Sequence, residues 1–461
     1  MKKFKNIMDY THGMINIDSF FFKFIDTIQL QRLRDIHQLS TSLYVFPSVN
    51  HSRFEHSLGT YFIANKFMKY FKENQPELDI NQNLINSISI CALLHNVGHT
   101  CYTNSFSSFL KDKYNYDFNR FEMAEKIFDD ILNKENIDSK TNNENEQFDE
   151  KICKKILLRK EKSSHFYEEI VNNTKNGIDA NIFDYLKRDI YKYGFPKQSF
   201  EYQILMNNAF VINDEICYRA QDSYPILDLF KSRFFMAKTF YLHRIAMGVE
   251  LMIKDMFLEA DSIYKFYDRI NNLNDFYKLN DLIYNDIIRN KNIQLSNSKK
   301  ICERIQKRDL YSFAGEYCSS NKQYSYDQFN ENVLLSYTSS TEVPITEKDI
   351  RIIKLKLNLG IDENDPLTHV SLYDDNRNIV KKIGDEISHL LPKKFQEKII
   401  RVYVTSNDEK KISSAQQALI NYCKEKCGSE PTLYKSAKQF QTNNELFNSK
   451  NFESFSKQLF K

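Results

Sequence analysis

The sequence predicts a mainly helical chain, with a large helical core and a small C-terminal α+β lobe, and three observations lead there. Apolar residues recur at helical spacing through most of residues 56–316, as in Leu84, Ile88 and Cys91. β-Branched and other apolar residues cluster over 350–357 and 399–404, and a helical pattern follows over 415–424, the order of a small mixed lobe. Two histidines, His56 and His95, sit on apolar helical stripes, where an imidazole is most often a hydrogen-bonded core residue.

Taken in order, residues 1–55 read as short segments. Asp9, Tyr10, Thr11, His12 and Gly13 make a turn, and Phe22, Ile25, Leu30, Leu33 and Ile36 give residues 19–39 a helical pattern. The same stretch is dense in Asp, Gln and Arg, as a solvated, salt-bridged face would be. A short strand is expected over 43–47. His56 opens the next helix, with Thr60, Ile63 and Phe67 on its face. A second buried helix ends at His95 and Asn96, followed by a turn at Gly98, a loop over 99–108 and an amphipathic helix through Ile131.

Residues 133–150 are polar and asparagine-rich and form an insertion on the surface. Helix resumes at Lys151, and Asp179 is placed to cap another just after Gly177. A long helical stretch covers 226–265, with further helices to about 316. The expected division is a helical domain over 1–318, a linker or exposed loop over 319–349, the lobe over 350–427 and a polar tail over 428–461.

With 64 basic and 61 acidic residues the net charge is +3, so any nucleic-acid contact would need a local patch. Eight cysteines without C-x-x-C pairs read as free thiols of a reducing compartment. Cys423 and Cys427 lack the second ligand pair that a structural zinc site needs. No apolar core follows the basic N-terminus, and no run approaches the roughly 18 apolar residues of a membrane span. The expectation is a soluble intracellular protein, of cytoplasm or nucleus, with no membrane partner.

Four strings carry more specific information: R-F-E-H-S-L-G around His56, L-L-H-N-V-G-H around His95, G-I-D-A-N with the F-D-Y and R-D that follow, and H-L-L-P-K-K-F-Q-E-K-I-I-R-V-Y ending at Tyr403. Together they resemble the HD-domain phosphohydrolases, and most closely the sterile-alpha-motif and HD-domain dNTP triphosphohydrolase family without its sterile-alpha-motif domain. The resemblance runs from Ile7 to roughly Lys426. It implies an HD-domain helical core and a divalent metal (Mg, Mn, Fe or Zn) held by two histidines and two aspartates. Here those positions are His56, His95, Asn96 and Asn181, so both carboxylates are amides. An amide oxygen can coordinate a hard cation but brings no charge.

Other family groups are also replaced. Asn104 and Ser107 stand where the resemblance implies a histidine and an acid, Phe121 where it implies a later catalytic histidine, and Ile182 where it implies a phosphate-binding lysine. His99 persists. The rest of the implied nucleotide pocket is present: Gln38 and Leu39 for sugar and base, with Arg53, Arg233, Tyr185, Tyr241 and Asp189 for the phosphates and the 3′-hydroxyl edge. Lys5, Asp26, Gln31, Arg34 and Arg401 match an allosteric guanine-nucleotide site, which in the resembled family lies between subunits.

The resulting expectation is a catalytically degenerate homologue that binds GTP or dNTPs, or a protein partner, without hydrolysis. It would form a homo-oligomer, dimer or tetramer, and hold no cofactor or only a weakly bound divalent metal. Two alternatives remain. One is an active hydrolase in which Asp179 or Asp184 replaces a lost ligand, and the other is a structural or interaction protein.

Overall fold

The computed structural model describes residues 4–195, 200–319, 326–338, 341, 343–380, 387 and 392–433. It divides into two units, Met1–Leu310 with Lys356–Glu397 and Tyr311–Leu355 with Lys398–Lys461. Helices of nine or more residues are numbered below. Helix dominates among the described residues, as the apolar periodicity predicts.

The first unit opens with an antiparallel hairpin, β1 (Phe4–Asp9) and β2 (Gly13–Asp18), in which Ile7 faces Ile15. The expected turn at residues 9–13 joins them. The helical pattern over 19–39 is not one helix but a series of short turns. Asp18 caps the first, and Thr27 accepts from the Leu30 N–H to start another. Ile36 is extended and ends the series. A capping hydroxyl in the middle of an apolar pattern divides it without disturbing its period. Residues Ser40–Tyr44 form a 3₁₀ turn rather than leading into a strand.

Helix α1 (Arg53–Asn74) starts at a capping box in which Ser52 and Glu55 satisfy each other's backbone N–H groups. Helix α2 (Gln82–Leu94) is capped by Asn81 and buried continuously from Ile85 to Leu94, and His95 is its C-cap. Helix α3 (Thr103–Tyr114) begins earlier than the expected loop over 99–108 allows, and a separate helix α4 (Arg120–Lys134) follows, capped by Asn119. Phe148 anchors the polar insertion by packing its ring against Phe20, Phe24 and Phe128.

Helices α5 (Glu150–Leu158) and α6 (Ala180–Lys192) come next, and Asp179 caps α6 as the sequence predicts. The stretch over 226–265 is two helices, α7 (Ser223–Met236) and α8 (Arg244–Tyr264), joined through a π turn at Ala237–Tyr241. Helix α9 (Ser296–Gln306) is followed by a strand rather than further helix. Strands Phe210–Ile212, Glu215–Arg219, Leu372–Tyr373 and Ile379–Val380 form a small sheet in this unit.

In the second unit Ser312–Ser319 lies between Thr432–Leu433 and Gln396–Val404 in a four-stranded sheet completed by Ile350–Asn358. Helix α10 (Glu409–Lys426) shares a core with it through Ala415, Ala418, Leu419 and Tyr422. The stretch expected to be an exposed linker contributes to that core: Tyr326, Phe329, Leu334 and Ile345 are buried, and Glu331–Leu335 is helical. Its polar composition masked four well-spaced apolar anchors. Residues 434–461 of the expected tail lie outside the described residues. No helix is long and apolar enough to cross a membrane among the described residues.

Two glycines set close approaches that matter below. A Cβ on Gly59 would lie 1.8 Å from Asp184 Oδ1, so α1 and α6 meet only because that position is bare. A Cβ on Gly98 would lie 1.9 Å from the Arg120 carbonyl oxygen, which is backbone and cannot swing aside. Gly98→Ala should therefore destabilise the chain by about 1–3 kcal/mol or more, the cost of overpacking a close backbone approach. An unchanged urea midpoint would contradict that packing.

Candidate active site

The site is built where α1, α2 and α6 converge. His95 Nδ1–H donates to the Ala92 carbonyl at 2.7 Å, which turns Nε2 inward. His56 Nδ1–H donates to Asp184 at 2.6 Å, which turns its Nε2 inward as well. The two Nε2 atoms lie 3.3 Å apart, and His56 Nε2 lies 2.9 Å from the Asn181 amide oxygen. Asn96 points its NH₂ at His95 Nε2 (2.8 Å), and its oxygen accepts from Arg53 at 3.4 Å. The structure thus brings His56, His95, Asn96 and Asn181 together. The imidazoles have the orientation of metal-binding histidines, with the outer nitrogen held by a carbonyl or carboxylate.

Behind His56 is a buried network anchored on Asp184. An ionised carboxylate offers about four lone-pair sites. At Asp184 donors from His12 (2.6 Å), His56 (2.6 Å) and two guanidinium nitrogens of Arg188 (2.8 and 2.9 Å) use all of them. Burial works to raise this carboxyl, but Arg188 and the two histidine hydrogen bonds outweigh it and hold the group well below the usual carboxylate range. Arg188 also pairs with Asp9 at 2.8 Å, so the hairpin turn that carries Asp9 and His12 is fastened to α6 beneath the site. Asp179 is committed elsewhere, accepting from the N–H groups of Ile182 (2.8 Å) and Asn173 (3.1 Å).

His99 lies between two guanidiniums. Its Nε2 is 3.2 Å from Arg53 Nη1 and 3.1 Å from Arg120 Nη1, and its Nδ1 is 3.3 Å from the Thr103 hydroxyl. Burial and then the charges of Arg53 and Arg120 push this imidazole well below its ordinary value. It is neutral, with Nε2 as acceptor. Burial and then the neighbouring His56 do the same to His95. Asn104 does not reach His99 but bonds Glu250, whose carboxyl burial pushes up to about 7 against that bond. Ser107 is half-buried on α3. Phe121 is half-buried at the start of α4, with the guanidiniums of Arg120 and Arg159 at 4.1 and 5.3 Å from its ring. Ile182 is buried on α6.

Most of the other residues matched to a nucleotide pocket are engaged with protein groups. Asp189 accepts from His51 (2.8 Å) and from the Tyr241 hydroxyl (2.7 Å). The Tyr185 ring stands edge-on to His56 at 6.2 Å, and burial pushes its hydroxyl up to about 12 against the charge of Arg233. Arg233 donates to the Gly360 carbonyl at 3.0 Å. The Gln38 carbonyl accepts from Arg53 at 3.5 Å, its side-chain oxygen is buried with no protein donor, and Leu39 beside it is half-buried.

The residues matched to the guanine site are drawn from both units. Lys5 lies 3.4 Å from Asp26, Arg34 donates to Gln31 at 2.7 Å and stacks on Phe54, and Gln31 donates to the Ile25 carbonyl. Arg401 belongs to the second unit, where it pairs with Glu316 at 2.8 Å. No sequence signal marks His12, His51 or Arg120 as site residues, and Arg188 stands out only as the arginine of the R-D string. His12 stood in a turn already noted, but nothing local announces that a turn is buried.

Among the described residues no group of three His, Cys, Asp or Glu side chains is arranged to hold a metal ion. No family model matches the chain. Curated proteins do. A deoxynucleoside triphosphate triphosphohydrolase SAMHD1 homolog of Dictyostelium discoideum is 33% identical over 416 residues, covering 88% of this chain and 79% of the relative. The deoxynucleoside triphosphate triphosphohydrolase SAMHD1 of Bos taurus is 28% identical over 460 residues, covering 91% and 78%. An HD domain-containing protein of Acanthamoeba polyphaga mimivirus is 29% identical over 284 residues, covering 59% and 61%. With the paired histidines of α1 and α2 in place and a relative this similar along most of both chains, the chain belongs to the SAMHD1 family of deoxynucleoside triphosphate triphosphohydrolases.

Proposed function

We propose that this protein is a catalytically degenerate member of its family, which binds dNTPs or GTP without hydrolysing them. The observation that carries the reading is the donor set. His56, His95, Asn96 and Asn181 supply imidazole nitrogens and amide atoms and no carboxylate, while Arg53 and Arg120 stand beside them. A hard divalent cation is a poor fit there. It would meet no carboxylate charge and would be repelled by two guanidiniums in a partly desolvated pocket.

The rival, an active enzyme with a displaced ligand, requires Asp179 or Asp184. Asp179 caps a helix, and Asp184 has no lone pair left to give. General acid–base help is also missing. Asn104 and Phe121 have no titratable group, and the Nε2 lone pair of the neutral His99 is engaged by Arg53 and Arg120. Arg53, Arg233 and the Asp189–Tyr241 pair still offer phosphate and sugar contacts, which need no hydrolysis to be useful.

Equilibrium dialysis with labelled dGTP in EDTA tests this reading. Nucleotide should be retained with the protein and recovered intact. Absence of retention would leave a structural or protein-binding role, and release of deoxyguanosine would overturn the reading.

The guanine-site residues extend the proposal to assembly. Asp26 is an acceptor suited to the N–H edge of guanine, and Lys5 and Arg34 carry charge for phosphates. A ligand that binds only the assembled form stabilises it by mass action. GTP, more than ATP, should shift sedimentation toward dimer or tetramer, and Arg34→Ala should remove the shift while Arg233→Ala leaves it. Identical profiles with GTP, with ATP and without nucleotide would leave these residues as a salt-bridged surface.

A further inference from the structure

We infer that Arg120, with Arg159 stacked across Phe121, joins Arg53 in a metal-independent clamp for a polyphosphate chain. The inference rests on the nucleotide-binding reading above and deepens it by assigning the group that grips the phosphates. Four observations converge on it.

Arg53 and Arg120 come from the starts of two different helices, α1 and α4, and both donate to the same acceptor, His99 Nε2, at 3.2 and 3.1 Å. One lone pair cannot satisfy two guanidinium forks, each with five N–H donors, and Arg53 adds only long contacts to the Asn96 amide oxygen (3.4 Å) and the Gln38 carbonyl (3.5 Å). Arg53 Nε is buried with no protein partner, and no carboxylate lies within ion-pair distance of Arg53 or Arg120 among the described residues. Asp281 and Asp189 favour the Arg53 charge only from beyond ion-pair distance, so like charges this close remain costly in a desolvated site, and a bound anion removes the cost.

Phe121 stands where a proton-transferring histidine is implied, and its ring holds Arg120 at 4.1 Å and Arg159 at 5.3 Å. The same side chain that removes acid–base chemistry therefore orders two cations. Gly98 is the fourth element. Because it has no Cβ, the Arg120 backbone can come close enough to bring the guanidinium to His99. Arg32, whose Nε is likewise buried without a protein partner, differs in that its two Nη groups are committed to backbone. It donates to the carbonyls of Val97 and His99 and stacks on Phe276, so it is not available to a ligand.

Burial and then Arg120 lower Arg53 to about 9, and burial and then Arg159 lower Arg120 to about 10, so both remain charged at neutral pH. The ligand class that fits is a linear polyphosphate ester, whose oxygens accept bidentate guanidinium bonds. In such a clamp fixed positive charge does the phosphate binding that a divalent ion would otherwise share.

Calorimetry on the full chain with sodium tripolyphosphate in EDTA provides the test, because it needs neither base recognition nor turnover. Tripolyphosphate should bind without divalent cation. Arg120→Gln should weaken it by about 10- to 100-fold, the worth of one charged hydrogen-bonding group. Arg120→Lys should recover part of the loss by restoring charge without the fork. Phe121→Leu, which keeps apolar volume but loses the ring, should weaken binding as well, and thermal melts of each variant check that it is folded. Wild-type affinity in Arg120→Gln, or binding that appears only with added Mg²⁺, would overturn the clamp. Nucleotide that binds tightly to a folded Arg120→Gln variant would defeat the clamp while sparing the broader reading. Metal-dependent dGTP turnover would defeat the broader reading alone.

Discussion

Asp184→Asn is expected to lower the stability of the chain by about 3–5 kcal/mol, the range for removing one partner of a buried ion pair and leaving the other charge in place. The carboxylate and Arg188 are both fully buried, and Asp184 accepts from His12, His56 and two Arg188 nitrogens at once. An asparagine can accept at one atom only, and its NH₂ would face donors at the other. Arg188 would retain Asp9 at 2.8 Å and the more distant Glu55 at 4.0 Å. The hairpin turn and α6 should then separate in unfolding, so urea curves followed by tyrosine fluorescence and by circular dichroism should diverge in the variant. A midpoint equal to wild type would mean that the network does not carry this load.

The double replacement Asn96→Asp with Asn181→Asp is expected to create divalent-metal binding, with an affinity gain on the order of 10³-fold or more. A unit charge about 4 Å away contributes about 4 kcal/mol at an effective dielectric of about 20, and two such charges would act on a doubly charged ion, offset by the two arginines. The imidazoles of His56 and His95 are already turned inward to receive it. Catalysis should not return with the metal, because Asn104 and Phe121 are unchanged and His99 remains neutral. Calorimetric titration with Mn²⁺ checks the first part, and product analysis with dGTP checks the second. Family-like turnover in the double variant would show that the lost proton-transfer groups were not limiting.

Much of the fold was legible because its signals are local. The apolar stripes of α1 and α2, the Asp179 cap and the clustered apolar residues over 350–357 and 399–404 all depend on neighbours within a few residues. The errors have local causes too. Thr27 divides an apolar pattern that reads as continuous, and Tyr326 and Phe329 are core residues inside a stretch dominated by polar ones. At the site, His56, His95, Asn96 and Asn181 could be found by motif, and the structure brings them together. What could not be read was the company they keep. His12 reaches Asp184 across 172 positions, and Arg120 reaches His99 across 21, through contacts that only the packing of separate helices and a hairpin turn creates. Asp184 looked like a spare ligand in the sequence because its helical position is near Asn181, and only the donors around it reveal that it is spent.

Nucleotide bound in this pocket is expected to stay uncleaved, and a single-turnover experiment tests this. Protein in excess over labelled dGTP, incubated in turn with Mg²⁺, Mn²⁺ and Fe²⁺, should return the nucleotide intact at every time point. Deoxyguanosine and triphosphate appearing at a rate that depends on the metal, and vanishing in His56→Ala, would contradict it.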